Sequence, residues 1–533
     1  MSKKKRKNTA VSKHVSKQRT PITVEMMQDI TSAYVLFMLW IYPLYFENKY
    51  FNMGEAKWHF FKWITLIYFF LMVIVFICFQ TGLFRQKRLF DFWKNEKISL
   101  TDKFVFSYAI ICLISFILSP FKERTLWGMN GWYMGLISQL LFCFIYYFMS
   151  RYLKWGKNLF IGSLAVSFIV FLLGILNRFM IDPLGMYEKI HPDSIIEFLS
   201  TLGQATWFSS YLVILMPLGM FVFWDTEDRK LRIASGIYTA VSSMALIAQN
   251  SDSAIVAAFA IFLVLFSVSF EENVRMKRFL ETFLVTIGSF VFWGLLQRIF
   301  KNRAVELSGL MTFLSQSLIM WLLLAAAVLI YLTFCHFEKK SFKINEHKKI
   351  RSIIWILLGV GLLLTVVYIF LNSVGLLDNT SFYSDNNYLR FNYMWGNQRG
   401  FSWIYSVATF VESDFLRKMI GSGPDGFCSI VYSYFAEDMQ STWGKSTILT
   451  NAHNEWLTSL INVGIVGFVA YLGIFISAVR GFVKRSKENR WLIAAVMAIA
   501  GYMAHNFFCY QQIICTPIIF MIIGAGEMLR RND

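Results

Sequence analysis

Repeated long apolar runs constrain this chain more than any other feature. Each run has about 20 mostly apolar residues, which as a helix rising 1.5 Å per residue is long enough to cross the hydrocarbon core of a bilayer. Only 16% of the residues are charged, whereas soluble globular proteins carry roughly a quarter. The sequence therefore predicts an all-α polytopic integral membrane protein with about 12–14 transmembrane helices. The predicted spans are residues 30–47, 61–83, 104–119, 131–150, 158–177, 205–224, 231–249, 253–270, 280–297, 309–335, 352–373, 456–479, 491–509 and 512–529.

Lysine and arginine are concentrated in alternate loops between these runs. "RQKRLFDFWKNEK", "EENVRMKR" and "EKKSFKINEHKKIR" are strongly basic, whereas "ENKYFNMGEAK" and "DPLGMYEKIHPDSIIE" are mixed or acidic. Because short cytoplasmic loops carry the excess of positive charge, this alternation predicts that both termini are cytoplasmic. The net charge of +18 is thereby explained as a topology signal, and membrane lipids, not nucleic acid, are the expected surroundings.

Three regions follow from the distribution of charge and apolar runs. Residues 1–25 are expected to form a basic cytoplasmic tail without fixed structure, because "MSKKKRKNTAVSKHVSKQRT" is polybasic and polar. Residues 26–200 are expected to form an N-terminal transmembrane bundle, and residues 201–533 a second region that carries the chemistry. The seven cysteines contain no C-x-x-C pair and lie mostly in apolar runs, so they indicate small buried residues instead of a metal site.

One loop is far longer than the others. Residues 374–455 contain no apolar run, and the predicted topology places them outside the cell. Loops of this length in a compact protein are usually functional or disordered, and the many Trp, Tyr and Phe residues argue against disorder. We expect a folded extracytoplasmic domain of short helices between the spans near 352–373 and 456–479.

His453 precedes the span that follows this loop. Gly464 and Gly467 lie 11 and 14 residues further on, so in one continuous helix all three would share a face. Glycines on such a face allow a neighbouring helix to approach closely, and Asn451 is a candidate N-cap. A histidine in the first turn would feel the positive end of the helix dipole, which favours its neutral, proton-accepting form and attracts anions. The alternative is an interfacial histidine bonded to a loop carbonyl.

The residues around His453 resemble a known family. The pattern His453-Asn454, nine residues, Gly464, two residues, Gly467 is similar to the signature of the bacterial O-antigen ligase and polymerase family. Arg399, with a tryptophan four residues later, resembles that family's loop arginine. The segment "GSGPDGF", which includes Gly421 and Gly423, resembles its glycine-rich turn. "TLGQATWFSSYLVILMPLG" and "AHNFFCYQQIICTPIIF" extend the resemblance from about residue 200 to the end of the chain.

This resemblance implies a multi-pass membrane glycosyltransferase of the GT-C-like kind in a bacterial plasma membrane, with its active face extracytoplasmic. Its donor would be a glycan on a polyprenyl diphosphate and its acceptor a glycan or lipid-linked sugar, with other polysaccharide-assembly proteins as further partners. No cofactor and no metal ion are implied, and the reaction would invert the anomeric centre. His453 would act as the base, and Asn454 would orient it, bind substrate or cap the helix. Arg399 would bind the diphosphate, as a planar guanidinium can; the alternative is an ion pair with Asp385, Glu412 or Asp414.

The chain departs from the family pattern at one position. Where many members carry Ser-Arg-Gly with a second phosphate-binding arginine, this sequence has "AQNSDSAIVAAF", with Asp252 in place of the arginine. A carboxylate there would bind an acceptor hydroxyl or pair with Arg390 or Arg399. The second phosphate ligand would then be Arg390 or Lys445. His505, near the outer end of the penultimate span, is either a cavity residue or a packing residue.

Two other functions are compatible with an apolar chain of this kind. A transporter or flippase of lipid-linked saccharides predicts repeated halves and ionisable residues near the membrane midplane. The polar clusters here lie at span ends and in one loop, which favours chemistry at one face. A scaffold would not account for the histidine and glycine pattern. The sequence does not separate a polymerase from a ligase.

Overall fold

In the computed structural model of the chain, the described residues are 21–89, 94, 96–188, 190–444 and 448–532. Most of the predicted basic tail, residues 1–20, lies outside them, as does Lys445. Residues 22–25, which the sequence assigned to the tail, form the first turn of a helix.

Helices dominate the described part of the chain, and two strands of two residues each are the exception, Phe198–Leu199 (β1) and Gly203–Gln204 (β2), paired antiparallel. The α-helices are α1 (Ile22–Leu36), α2 (Met53–Arg85), α3 (Leu100–Leu118), α4 (Lys122–Trp127), α5 (Leu136–Tyr152), α6 (Lys157–Asn177), α7 (Ala205–Asp225), α8 (Arg229–Ala248), α9 (Asp252–Ser269), α10 (Asn273–Ile299), α11 (Gly309–Gln316), α12 (Leu318–Lys339), α13 (Lys348–Ser373), α14 (Trp395–Glu412), α15 (Phe415–Ile420), α16 (Phe427–Trp443), α17 (Glu455–Arg485), α18 (Trp491–His505) and α19 (Thr516–Asn532). Short 3₁₀ or π turns lie at Phe37–Ile41, Tyr42–Leu44, Pro192–Glu197 and Ile344–His347.

Ten helices of the described residues are long and apolar enough to cross a membrane. They confirm the predicted fold class, an all-α polytopic membrane protein. The other four predicted spans are occupied by the shorter helices α1, α5, α18 and α19. One predicted span, 309–335, is wrong as a single helix: Ser317 has an extended backbone (φ −71°, ψ 149°) and separates α11 from α12. Its side chain accepts a hydrogen bond from the Met320 amide and so begins the second helix.

The helix α7 lies at the centre of the bundle. Large apolar side chains on all its faces, among them Phe208, Leu212 and Met216, are fully buried, as expected for a helix that is hydrophobic all round. By contrast α12 and α13 expose most of their leucines and isoleucines, so they lie at the periphery, where lipid would cover them.

Ion pairs hold the basic loops together at one end of the bundle. Arg151 and Arg531 both contact the carboxylate of Asp102, whose side chain is fully buried. Asp225 at the end of α7 pairs with Arg275 and Arg490. Breaking a buried pair by removing one partner is strongly destabilising, about 3–5 kcal/mol, because it leaves an uncompensated charge.

The long loop lies at the opposite end and contains three helices, α14, α15 and α16, as expected for a folded domain. It has an apolar core of its own, in which Phe401, Phe427 and Val431 are buried together with Ile461 of α17. The segment between α4 and α5, which the order of predicted spans also places outside, contacts it there. For example, the carboxylate of Asp425 in the long loop accepts a hydrogen bond from the amide of Met129 at 2.7 Å.

Candidate active site

The turn that carries His453 is set by a capped helix start. Asn454 is the N-cap of α17, and its Oδ1 accepts from the Leu457 amide at 3.0 Å. The expectation that Asn451 is the N-cap is wrong; its Oδ1 accepts instead from the His453 amide at 2.9 Å. His453 therefore lies just before the helix, with a left-handed backbone (φ 49°). Such a conformation is uncommon for a residue with a side chain, and strain of this kind clusters at functional sites.

The expected common face of His453, Gly464 and Gly467 is also wrong. Gly464 has φ 67° and ψ −175°, a conformation open essentially only to glycine, so α17 is broken there. The rotation of 100° per residue in an ideal helix therefore does not relate the directions of residues on the two sides of the break. Gly464 instead allows a close approach, since a Cβ there would lie 2.3–2.4 Å from the backbone of Met419 and Ile420.

The glycine-rich turn of the long loop packs against this break. The amides of Ser422 and Gly423 donate to the carbonyls of Ile461 and Asn462, at 3.1 and 2.9 Å. Gly421 has φ 83°, and a Cβ on it would lie 2.3 Å from the Asn462 oxygen. The two glycine motifs, which are far apart in the sequence, thus form one contact between loop and bundle, because each lacks a side chain where the backbone of the other approaches.

The imidazole of His453 is half-buried between the loop and the bundle. Its ring contacts the ring of Tyr510 edge to face, with centroids 5.3 Å apart. Within the described residues the imidazole makes no hydrogen bond, so the alternative role, a histidine bonded to a loop carbonyl, is not found. Burial, with a smaller contribution from the positive charge of Arg399, lowers the pKa of His453 to about 4. The imidazole is therefore neutral at physiological pH.

Arg399 reaches the same segment of chain as His453. Its Nε donates to the carbonyl of Phe508 at 3.2 Å, two residues from Tyr510, and its Nη1 donates to the Gly396 carbonyl at 2.7 Å. Trp403, one helical turn later, stacks on the ring of Phe508. The spacing of arginine and tryptophan thus places both side chains against one residue. The alternative role of Arg399, an ion pair with Asp385, Glu412 or Asp414, is not found among the described residues.

A cavity of about 440 Å³ lies beside Arg399. Asp252 lines it, but its partner is neither Arg390 nor Arg399: Asp252 Oδ2 accepts from the hydroxyl of Tyr388, while Oδ1 is buried without a partner. This hydrogen bond, more than burial, raises the pKa of Tyr388 to about 12. The residues that contribute polar groups to the wall include Arg178, Gln204, Thr206, Asp252, Tyr388 and Arg399.

Two further residues from the sequence analysis have other partners. Arg390 forms ion pairs with Asp378 and Asp385 inside the loop, at 3.6 and 3.9 Å. His505 is fully buried and hydrogen-bonded to Ser209 at 3.1 Å, which is the packing role. Neither lines the cavity in the described part of the chain.

Three residues near the site were missed from the sequence. Arg178 is fully buried at the cavity wall; a lone arginine at the end of an apolar span was the available signal. Glu455 is buried and accepts hydrogen bonds from Tyr471, Tyr502 and Asn506, which ties the start of α17 to the end of α18.

Asp425, in the glycine-rich turn, is the third. It is buried, and burial raises its pKa to about 7, although the Met129 and Met134 amides donate to it. Only a folded structure could reveal that burial, since an aspartate between a proline and a glycine is typical of an exposed turn.

Comparison with protein families adds an independent observation. Residues 303–472 match the model of a family described as O-antigen ligase. The matched range includes Arg390, Arg399 and the His453 and glycine motifs; Asp252 and His505 lie outside it, and the predicted boundary at residue 201 stays a prediction. A comparison with curated proteins found no match. The match supports the assignment to the O-antigen ligase and polymerase family that the motifs around His453 predicted, and it supports a membrane enzyme that ligates or polymerises glycans in general.

Proposed function

We propose that this chain transfers or polymerises a glycan from a polyprenyl-diphosphate-linked donor onto an acceptor sugar hydroxyl. The reaction takes place at the outer face of a bacterial plasma membrane, as part of cell-surface polysaccharide assembly. The observation that carries the proposal is the position of His453 and Arg399, which both contact the segment Phe508–Tyr510. The basic loops at the far end of the bundle support the orientation.

His453 is the general base. Its lowered pKa keeps the imidazole neutral, so it can take the proton of the acceptor hydroxyl. The acceptor oxygen then attacks the anomeric carbon of the donor, and the bond from that carbon to the phosphate oxygen breaks on the opposite side, with inversion. The polyprenyl diphosphate leaves with the electron pair. Positioned proton transfer of this kind typically contributes about 10²–10⁴-fold.

Arg399 binds the diphosphate leaving group. Two of its nitrogens are held by the carbonyls of Phe508 and Gly396, which fixes the plane of the guanidinium. No carboxylate lies within 4 Å of it among the described residues, so its charge is available to phosphate oxygens. Charge stabilisation on a leaving group is usually the largest single catalytic contribution. A bound diphosphate would offset the charge of Arg399 and raise the pKa of His453 toward the range useful for a base.

The decisive experiment uses the purified full chain in lipid nanodiscs with a lipid-linked glycan. We expect His453→Ala to lose glycan transfer by at least about 100-fold and Arg399→Ala to lose a comparable amount. His191→Ala is the matched control, since His191 is an exposed histidine of another loop. Transfer by His453→Ala at the parental rate would overturn the base assignment. The products distinguish the two enzyme classes: a ladder of repeats indicates a polymerase, and a single addition indicates a ligase.

A further inference from the structure

The cavity beside Arg399 contains two buried groups that have no partner within the described residues. They are Nη2 of Arg178 and Oδ1 of Asp252. Leaving a buried polar atom without a hydrogen bond costs free energy, more so for a charged group. Native proteins retain few such atoms, and each calls for an explanation. One of these atoms is a donor and the other an acceptor, and both line one cavity, which indicates a site for a ligand that both donates and accepts hydrogen bonds.

Arg178 is held rigidly in this position. Its Nε donates to the carbonyl of Ala248 and its Nη1 to that of Ile196, at 2.5 and 2.6 Å. No carboxylate lies within 4 Å of it in the described chain, so its charge is uncompensated. Burial lowers its pKa only to about 10, and the guanidinium stays charged at neutral pH. The carbonyls orient the third nitrogen and leave it free to donate.

The side chain of Asp252 is also held by a hydrogen bond. The hydroxyl of Tyr388 occupies one carboxylate oxygen and leaves the other open. A carboxylate repels a phosphate group, so a diphosphate at Arg399 would not extend over Asp252. The other side chains that line the cavity are mostly amides and hydroxyls, among them Gln204, Thr206 and Ser308, together with the carboxylate of Glu197. The volume of about 440 Å³ falls in the usual range of small-molecule sites, about 300–1,000 Å³.

A sugar meets these requirements. Its hydroxyls donate to a carboxylate and accept from a guanidinium, and it carries no charge to be repelled. We infer that Arg178 and Asp252 form a subsite for a single sugar residue of the donor, the one attached to the diphosphate that Arg399 holds. Arg178 donates to a hydroxyl or acetamido oxygen of that sugar, and Asp252 accepts from a neighbouring hydroxyl. This inference rests on the proposed function for the identity of the donor, and it makes the pair the determinant of which sugar is accepted.

The test measures binding of polyprenyl diphosphates to the purified full chain. One probe has no sugar, and four others carry glucose, galactose, N-acetylglucosamine or N-acetylgalactosamine. We expect the parent to bind at least one sugar-bearing probe about 10-fold or more tightly than the bare lipid, in line with one hydrogen bond to a charged group. Asp252→Asn and Arg178→Lys should reduce this ratio to near one and leave binding of the bare lipid within about threefold.

Control variants separate this inference from the proposed function. Arg399→Ala should weaken all five probes together and keep their ratio, whereas Arg417→Ala, at an exposed ion pair with Asp414, should change nothing. Asp252→Asn has the shape of the native residue and guards against misfolding of the Arg178 variant, whose melting temperature is measured in parallel. A parent that binds all probes equally, or variants that keep the parental ratio, overturn the sugar subsite. Failure of the parent to bind the bare lipid overturns the proposed donor instead.

Discussion

Gly464 and Met419 meet backbone to backbone: a Cβ atom on the glycine would lie 2.3 Å from the carbonyl carbon of Met419. Real Cβ atoms do not approach other atoms so closely, so a side chain at this position would force the loop and the bundle apart. The contact lies at the helix break that also receives the amides of Ser422 and Gly423. This contact therefore fixes the position of the long loop against the membrane helices.

Gly464→Ala should lower both stability and glycan transfer. Alanine at this backbone conformation costs on the order of 1–3 kcal/mol, and the clash with Met419 adds to it. Melting of the purified protein and the transfer rate measure the two effects. Gly359→Ala is the control, because a Cβ at Gly359 meets nothing within 4 Å; it should be neutral or slightly stabilising in its helix. Equal melting temperatures for the two variants would contradict the importance of the contact.

The pH dependence of kcat/KM should report the low pKa of His453. Below its pKa the imidazole is protonated and cannot accept a proton, so activity falls as the pH drops. Because burial and Arg399 lower that pKa to about 4, the acid limb should lie near pH 4, well below the ordinary histidine value of 6.5. Arg399→Gln, measured on its residual activity, should move the limb upward, since a like charge is removed. An acid limb near pH 6.5 in both proteins would contradict the assignment.

Asp425 should make the folded protein less stable as the pH rises. Burial raises its folded pKa from the ordinary 3.8 to about 7, so its contribution is fully present below pH 3.8 and is lost as the pH rises through 7. Each pKa unit corresponds to about 1.4 kcal/mol, which makes the change on the order of a few kcal/mol. Between pH 5 and pH 8 the melting temperature should fall more for the parent protein than for Asp425→Asn. Parallel pH profiles of the two proteins would refute this prediction.

Glu455→Gln should loosen the turn that presents His453. The carboxylate accepts from Tyr471, Tyr502 and Asn506, and a glutamine places an NH₂ group against one of these donors. The loss of a hydrogen bond to a charged group costs about 1.5–3 kcal/mol. A lower melting temperature and a reduced kcat are the expected results. Glu346→Gln, in an exposed ion pair with Lys343, is the matched control; a loss of the same size there would show that the effect is not specific to the buried network.

The apolar runs by themselves determined the fold class and the approximate positions of most of the long helices, because a helix must satisfy its own backbone hydrogen bonds in lipid. The motif around His453 was likewise visible in the sequence, as was the pairing of Arg399 with Trp403. The long loop was expected to fold because of its aromatic residues, and it contains three helices with a core around Phe401 and Val431. These features depend on local composition and spacing, which a sequence shows directly.

Other features depended on contacts between distant segments, and only the tertiary structure decided them. Counting along an ideal helix placed His453 and Gly464 on one face, but the glycine breaks the helix because the loop backbone at Met419 occupies that space. The partner of Asp252 is Tyr388, 136 positions away, not an arginine. Arg178 lines the cavity because carbonyls of two other segments orient its guanidinium there. Burial and packing across segments set those partners, and neither can be read from spacing along the chain.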